Sequence, residues 1–451
     1  MRNLLIAVLF VALNGTAIAQ NKGSLSLETC IESAQRKSPF MEAAKQGLNA
    51  LEYQYKEAWW SWMPTLKIRT MGTLIPPQEI DNPSEDDPDL SGYNIWSKTD
   101  IEAYVPLYTF GKISTLKDMA RQGVDIGRAI VRLAKDEIKY QVTRAWYAVQ
   151  LSGELSELID EGEKKLKKAR NRLQKLERED SDDYDQNDMF RLRIYEASVH
   201  KHVLANKRMA RLSEAGLRTA MGLKHNTTLD FPKDNDLEPI KIDLGNLERI
   251  VGLAARHRPE LEILRRKVGV QRTEVDRKWA DFFPNIFAAA SFTVAASTVN
   301  QQNTVFSSTV FNALGGGAAI GIQLTLDYPA KIARYNKAHA KWLSKQAQLD
   351  GQTAKLRLEL ESMWREAKDH QEMLKFNKRA MKAARSLFVS SVQEYENGID
   401  DTASFKDVLE SSVSYLVSKS EWLKSVYAFN IAVARLNRAV GSNVAPEGHS
   451  Q

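Results

Sequence analysis

Cysteine is nearly missing. Cys30 stands alone in 451 residues, so no intramolecular disulfide can form and no cysteine cluster can hold a metal. Long apolar runs are missing too. Past residue 19 no stretch offers the ~20 apolar residues that a transmembrane helix needs. An excess of one charge sign is scarce. The net charge of +6 is spread along the chain and is too weak to argue for a nucleic-acid partner, though it leaves anionic lipid open. Enzymatic motifs are absent. There is no HExxH, no nucleophile elbow and no P-loop. The seven histidines form no ligand pattern, and His200-Lys201-His202 cannot share a helix face. The composition therefore points away from catalysis, metal and cofactor.

Proline is absent in a telling way. None of the thirteen lies between Pro106 and Pro232, or between Pro329 and Pro446. Helix interiors exclude proline, so both intervals are candidates for long helices. Lys112 to about Arg178 spaces Leu155, Ile159, Leu166, Leu173 and Leu176 at helical intervals. A helix of that length would be roughly 100 Å long, a dimension of coiled coils and helical tubes. Its basic cluster, Lys164, Lys165, Lys167, Lys168, Arg170 and Arg172, reads as a solvated face. The run Glu179 to Asp185 reads as a turn with helix-capping aspartates before a return over about 187–221.

What is present occurs twice. Trp59-Trp60-Ser61-Trp62-Met63-Pro64 ends one helix, and Trp279-Ala280-Asp281-Phe282-Phe283-Pro284 ends another. At the same offset Leu27 matches Leu247, Ala34 matches Ala254, Pro39 matches Pro259 and Tyr108 matches Tyr328. Rare residues falling in step indicate an internal duplication. Residues 1–19 read as a secretory signal, with Arg2, an apolar core from Leu4 to Leu13, and Ala17-Ile18-Ala19 at the cleavage site. The first repeat is expected over 20–225, a linker over 226–243, the second repeat over 244–442, and a loose tail over 443–451. The proline-rich acidic stretch 76–92, with Glu85, Asp86 and Asp87, reads as a solvated loop, because calcium-loop spacing is absent.

Each half reads helix, strand, strand, long helix, returning helix. Strands are expected at about 65–75, 94–105, 285–296 and 317–328. Each alternates apolar and polar residues, as in a membrane barrel wall with one lipid face and one water face. Four strands cannot close a barrel, and open edges are not tolerated in lipid. The chain must share its barrel with copies of itself. A dimer would supply 8 strands and a trimer 12. Trp59, Trp60, Trp62, Phe282 and Phe283 would then mark the membrane interface. The fold class is α+β, mainly α.

The combination resembles the TolC-like outer-membrane efflux family over almost the whole mature length. The resemblance rests on the duplicated order, on Pro106-Leu107-Tyr108-Thr109-Phe110-Gly111-Lys112 after the second strand, on Tyr395-Glu396-Asn397-Gly398, and on Asp407-Val408-Leu409-Glu410. It implies a homotrimer in the outer membrane of a Gram-negative bacterium, with a 12-stranded barrel continuous with a long periplasmic α-barrel. It implies contacts with outer-membrane lipid, a periplasmic adaptor protein and an inner-membrane pump of RND, ABC or similar type, in efflux or type I secretion. Asp407 and Glu410 match acidic positions that ring the periplasmic mouth. Asp400, Asp401, Asp180, Asp182, Asp183 and Asp185 enrich the neighbouring turns in acid. Tyr395 and Asp188 match two partners of a link that holds the mouth shut, whereas the family's basic partner has no match. The first mouth turn lacks the family's glycine, and Asp327-Tyr328-Pro329-Ala330 departs from its proline-led run. For Asp407 and Asp188 alone, helix capping is an equal reading. The alternative for the whole chain is a periplasmic coiled-coil scaffold or chaperone that never enters lipid.

Overall fold

A computed structural model describes residues 25–75, 94–181, 184–232, 236–298, 313–397 and 405–444. The signal segment, the acidic loop, Asp182, Asp183, Asp400 and Asp401 lie outside the described residues. No helix of the described residues is long and apolar enough to cross a membrane.

The chain begins with α1 (Leu27–Lys37) and α2 (Pro39–Trp60). Ser26 caps α1 in a capping box with Thr29. Pro39 opens α2, where its missing N–H costs nothing. After the aromatic turn, β1 (Thr65–Ile75) and β2 (Asn94–Tyr108) pair antiparallel. Then come α3 (Lys112–Arg178) and α4 (Gln186–Ala220). The second half follows in the same order: α5 (Leu247–His257), α6 (Pro259–Ala280), β3 (Asn285–Ser297), β4 (Ala313–Gln323), α7 (Tyr328–Asn397) and α8 (Phe405–Val440). α1 and α5 each have 11 residues, and α2 and α6 each have 22. The 67 residues of α3 and the 70 of α7 make rods of about 100 Å.

The strands form one antiparallel sheet in the order β1-β2-β3-β4. β1 and β4 are therefore its edges. Two strand limits differ from the expectation. β2 runs past Val105 to Tyr108, and Pro106 is accommodated where the register to β3 shifts, the position a residue without an N–H tolerates. β4 occupies 313–323 rather than 317–328, so Leu324 and Leu326 lie beyond it. Its last pairing is Gln323 with Asn285. Before Asn285 stands Pro284, which turns the partner chain away, and the ladder ends there. Gly315, Gly316 and Gly317 pair with Thr293, Phe292 and Ser291 inside the strand. α7 accordingly starts at Tyr328.

Three apolar cores run down the helices. The largest joins α3, α5, α7 and α8, with Leu151, Ile250, Leu360, Phe429 and Leu436 among its members. A second joins α1 and α2 to α3 and the end of α4 around Cys30, Met41, Val142 and Leu217. Burial pushes the Cys30 thiol up to about 11, so it is an inert part of this core. A third, at the far end of the hairpins, holds Leu166, Leu173, Met189, Leu192 and Leu409.

The segment between the halves is packed rather than loose. Leu237 and Leu244 are buried. The fully buried Asn430 of α8 receives the Ile240 N–H at 2.9 Å and donates to the Glu238 carbonyl at 2.8 Å, which satisfies backbone groups that burial would otherwise orphan. The tail is anchored further than expected. Val444 is buried, its N–H donates to Asn437 Oδ1 at 2.7 Å, and its carbonyl accepts from Arg249 at 2.9 Å.

Candidate functional site: a two-faced sheet and the ends of the hairpins

Register decides what each face of the sheet carries. Leu66 pairs with Ala103, Ile68 with Ile101 and Leu74 with Ile95. Across the next ladders Ile101 meets Phe292, Phe292 meets Gly316, and Ala288 meets Ile320. All these side chains share one face, because neighbours directly opposite point the same way. Ile68 is 65% exposed, Leu314 77% and Ile320 76%. A continuous apolar face of this size has no place in water. Its polar members are few: the Thr70 and Thr99 hydroxyls lie 3.1 Å apart, and Ser97 stands between Gly72 and Ala296.

The other face is polar and uneven. Lys67 opposes Glu102, and Arg69 opposes Asp100. Asp100 accepts from Thr293 Oγ1 at 2.7 Å and pairs with Lys98 at 3.0 Å. On β3 and β4 this face shrinks to Ala289, Ser291, Gly315, Gly317 and Ala319. One exception is Phe287, whose ring lies over Gly321 and stacks on Tyr104 at 5.1 Å.

Where sheet meets helices, the expected aromatics form two clusters. Trp59 meets Trp60 edge-on at 4.8 Å and Trp62 at 6.2 Å. In the second cluster Trp279 lies 5.5 Å from Phe282 and 6.2 Å from Phe283. Phe110 stacks on Phe283 at 5.5 Å and touches Tyr108, so β2 contributes to the second cluster as well. Two lysines tie this junction together. Lys112 donates to the Phe283 carbonyl at 2.9 Å and to Asn285 Oδ1 at 2.8 Å. Lys331, 5% exposed, donates to the Thr325 carbonyl. Burial pulls the Lys112 ammonium below its usual range, against the opposing pull of Asp281.

At the far end the candidate aperture residues separate. Asp185 caps α4, accepting from the Asn187 N–H at 2.8 Å. Asp180 adopts a left-handed φ of 48° in the turn. Asp407 and Glu410 are exposed on the first turns of α8, on either side of Leu409, which packs into the hairpin of α3 and α4. Asp188 is buried and bonded to Arg191 of its own helix at 2.8 Å. Tyr395 meets a different partner, the Arg172 guanidinium, 4.5 Å from its ring.

The basic cluster is a solvated face, as expected, except at Lys165. Lys165 is half-buried and lies 4.2 Å from the Phe388 ring. Arg170 pairs with Glu196, and Arg172 covers Tyr395. Lys164, Lys167, Lys168, Arg170 and Arg172 are exposed as expected. Sequence reasoning missed the ring contacts because a cation and a ring more than 200 residues apart leave no periodic trace. Among the described residues no three His, Cys, Asp or Glu side chains converge on a metal position.

No family model matches the chain, and no curated protein matches it. Solved structures do. An outer membrane protein of Vibrio cholerae, VceC, is 18% identical, covers 93% of this chain and 96% of its own, and superposes with a TM-score of 0.73. The open state of the Neisseria gonorrhoeae MtrE outer membrane channel is 14% identical, with coverage of 93% and 89% and a TM-score of 0.74. The Campylobacter jejuni CmeC outer membrane channel is 13% identical, with coverage of 98% and 94% and a TM-score of 0.72. At such identities the likeness is one of architecture, and it spans helices and sheet together. The chain has the fold of the TolC-like outer-membrane channels that its sequence resembles.

Proposed function

We propose that the protein is the passive exit duct of an efflux or type I secretion system in a Gram-negative outer membrane. The sheet carries the reading. It has four strands, two free edges and an exposed apolar face, and lipid does not tolerate such edges. Three copies joined β4 to β1 would close a ring of 12 strands. The apolar face would meet lipid, the polar face would line the pore, and the aromatic clusters would sit at the interface. The rods of α3/α4 and α7/α8 would continue the ring as a periplasmic tube. A periplasmic adaptor and an inner-membrane pump would engage its far end and supply the energy. The two halves, 20–225 and 244–442, are products of one duplication on this reading. The alternative of a soluble periplasmic scaffold leaves the apolar face without an occupant.

The acidic side chains at the hairpin ends give the duct a charge preference. Three copies of Asp407 and Glu410 in one constriction would favour cations. Purified protein in planar bilayers is expected to conduct, with cations preferred over anions. The double substitution Asp407→Ala with Glu410→Ala is expected to lower that preference about twofold or more. An unchanged preference would remove both residues from the constriction.

A further inference from the structure

Two stacked rings on the polar face of the sheet have no task in the duct reading. Tyr104 on β2 and Phe287 on β3 have ring centres 5.1 Å apart and planes 28° apart. Tyr104 opposes Thr65 and Ala289, and Phe287 opposes Pro106 and Gly321. That register puts both on the face that carries Lys67, Arg69, Asp100 and Glu102. Both are half-buried, and neither belongs to any of the three apolar cores.

β4 makes room for the pair. The far half of the Phe287 ring occupies the place of a side chain on Gly321. A Cβ there would stand 2.7 Å from Cζ, 3.1 Å from Cε1 and 3.2 Å from Cε2. The ring therefore rests against the wall rather than projecting across the barrel. Ala289 and Ala319, paired with each other beside it, are too small to cover it. The place is definite as well. Thr65 opens β1, and Phe287 follows Asn285 and Ile286 at the start of β3. The pair stands where the helical tube gives way to the barrel. A cross-strand aromatic pair also stiffens a sheet, but that role alone does not require a glycine under the ring.

We infer that Tyr104 and Phe287 form a stacking platform for planar aromatic cargo, repeated by each copy around the lumen. The inference rests on the duct reading. A ring face holds another planar ring by offset stacking, and it attracts a cation as well. An aliphatic cation of similar size gains the second interaction without the first.

The test compares two such probes in planar bilayers. The helical rods, about 100 Å long, stay on the side of addition, and the probe is added on the barrel side. Ethidium is the planar aromatic cation and tetrabutylammonium the aliphatic one. Residence time is read from the excess current noise of single channels. In the parent, ethidium is expected to stay about fivefold longer than tetrabutylammonium. Tyr104→Leu with Phe287→Leu is expected to bring ethidium down to the tetrabutylammonium value and leave the latter unchanged. Tyr104→Phe keeps both rings and is expected to match the parent. If the double variant fails to assemble, Tyr104→Leu alone decides by the same comparison. An ethidium residence that survives loss of the rings overturns the platform. So does an equal change for both probes, which would mark an altered wall and not lost stacking. A parent that conducts without distinguishing the probes overturns the platform and leaves the duct standing. A parent that forms no channel overturns the duct reading, and the platform falls with it.

Discussion

Ile68→Arg is expected to abolish stable membrane assembly, whereas Ser291→Arg is expected to be tolerated. Ile68 lies mid-strand on the apolar face, opposite Ile101 and 65% exposed. In a lipid-facing position an arginine near the bilayer midplane costs about 2–4 kcal/mol. A ring of three copies would carry that cost three times, which is comparable to the whole stability of an ordinary domain. Ser291 lies on the opposite face, between Glu102 and Gly317, where a guanidinium meets a carboxylate and open space. Both substitutions add the same side chain mid-strand to the same sheet, Ile68 on the edge strand β1 and Ser291 on the interior strand β3, on opposite faces. The measurement is the carbonate-resistant, oligomeric fraction of the expressed protein. Equal behaviour of the two variants would mean that the faces are misassigned or that the sheet never meets lipid.

Gly441→Val is expected to cost about 3–4 kcal/mol through backbone strain and a steric collision. Gly441 ends α8 with φ +74°, a left-handed conformation, and an added Cβ would stand 2.6 Å from the His257 carbonyl oxygen and 2.9 Å from Pro259 Cδ. The left-handed region alone penalises a branched residue by roughly 1–2 kcal/mol. The rest comes from displacing the break between α5 and α6, whose backbone cannot yield as a flexible side chain would. The first half contains the same device. Gly222 has φ +66°, and its added Cβ would stand 2.5 Å from the Lys37 carbonyl at the break between α1 and α2. Each returning helix thus ends by fitting a glycine against the kink that starts its own half. Gly47 provides the contrast, since an added Cβ there meets nothing within 4 Å. Gly47→Ala is expected to be neutral or to stabilise by up to about 1 kcal/mol. Denaturant unfolding of the assembled protein compares the three. A Gly441→Val protein as stable as the parent would show that this contact does not bind tube to kink.

These two substitutions also show where the sequence could be read. Alternation revealed the faces of the sheet, because a half-buried strand must repeat every two residues. The proline-free intervals marked the long helices, because a proline inside either would break its backbone ladder. The paired Trp–Pro stretches located the junctions. The end of β4 was not legible. Leu324 and Leu326 continue its alternation, yet a strand ends where its partner ends, and the partner starts only after Pro284. The role of Gly441 was equally hidden, because a C-capping glycine looks the same whether or not a carbonyl from another element abuts it. At the hairpin ends the acidic residues stood out by composition, while Lys165 and Arg172 were absorbed into a basic run. Only the three-dimensional meeting of α3 with α7 distinguishes them from Lys164 and Lys168.

In the proposed duct no single copy can close its own sheet, so copies must close it together. Native mass spectrometry of the protein extracted from outer membranes tests it most directly. An assembly of three chains is expected, which joins 12 strands in one ring. A stable single chain in the membrane fraction would contradict it.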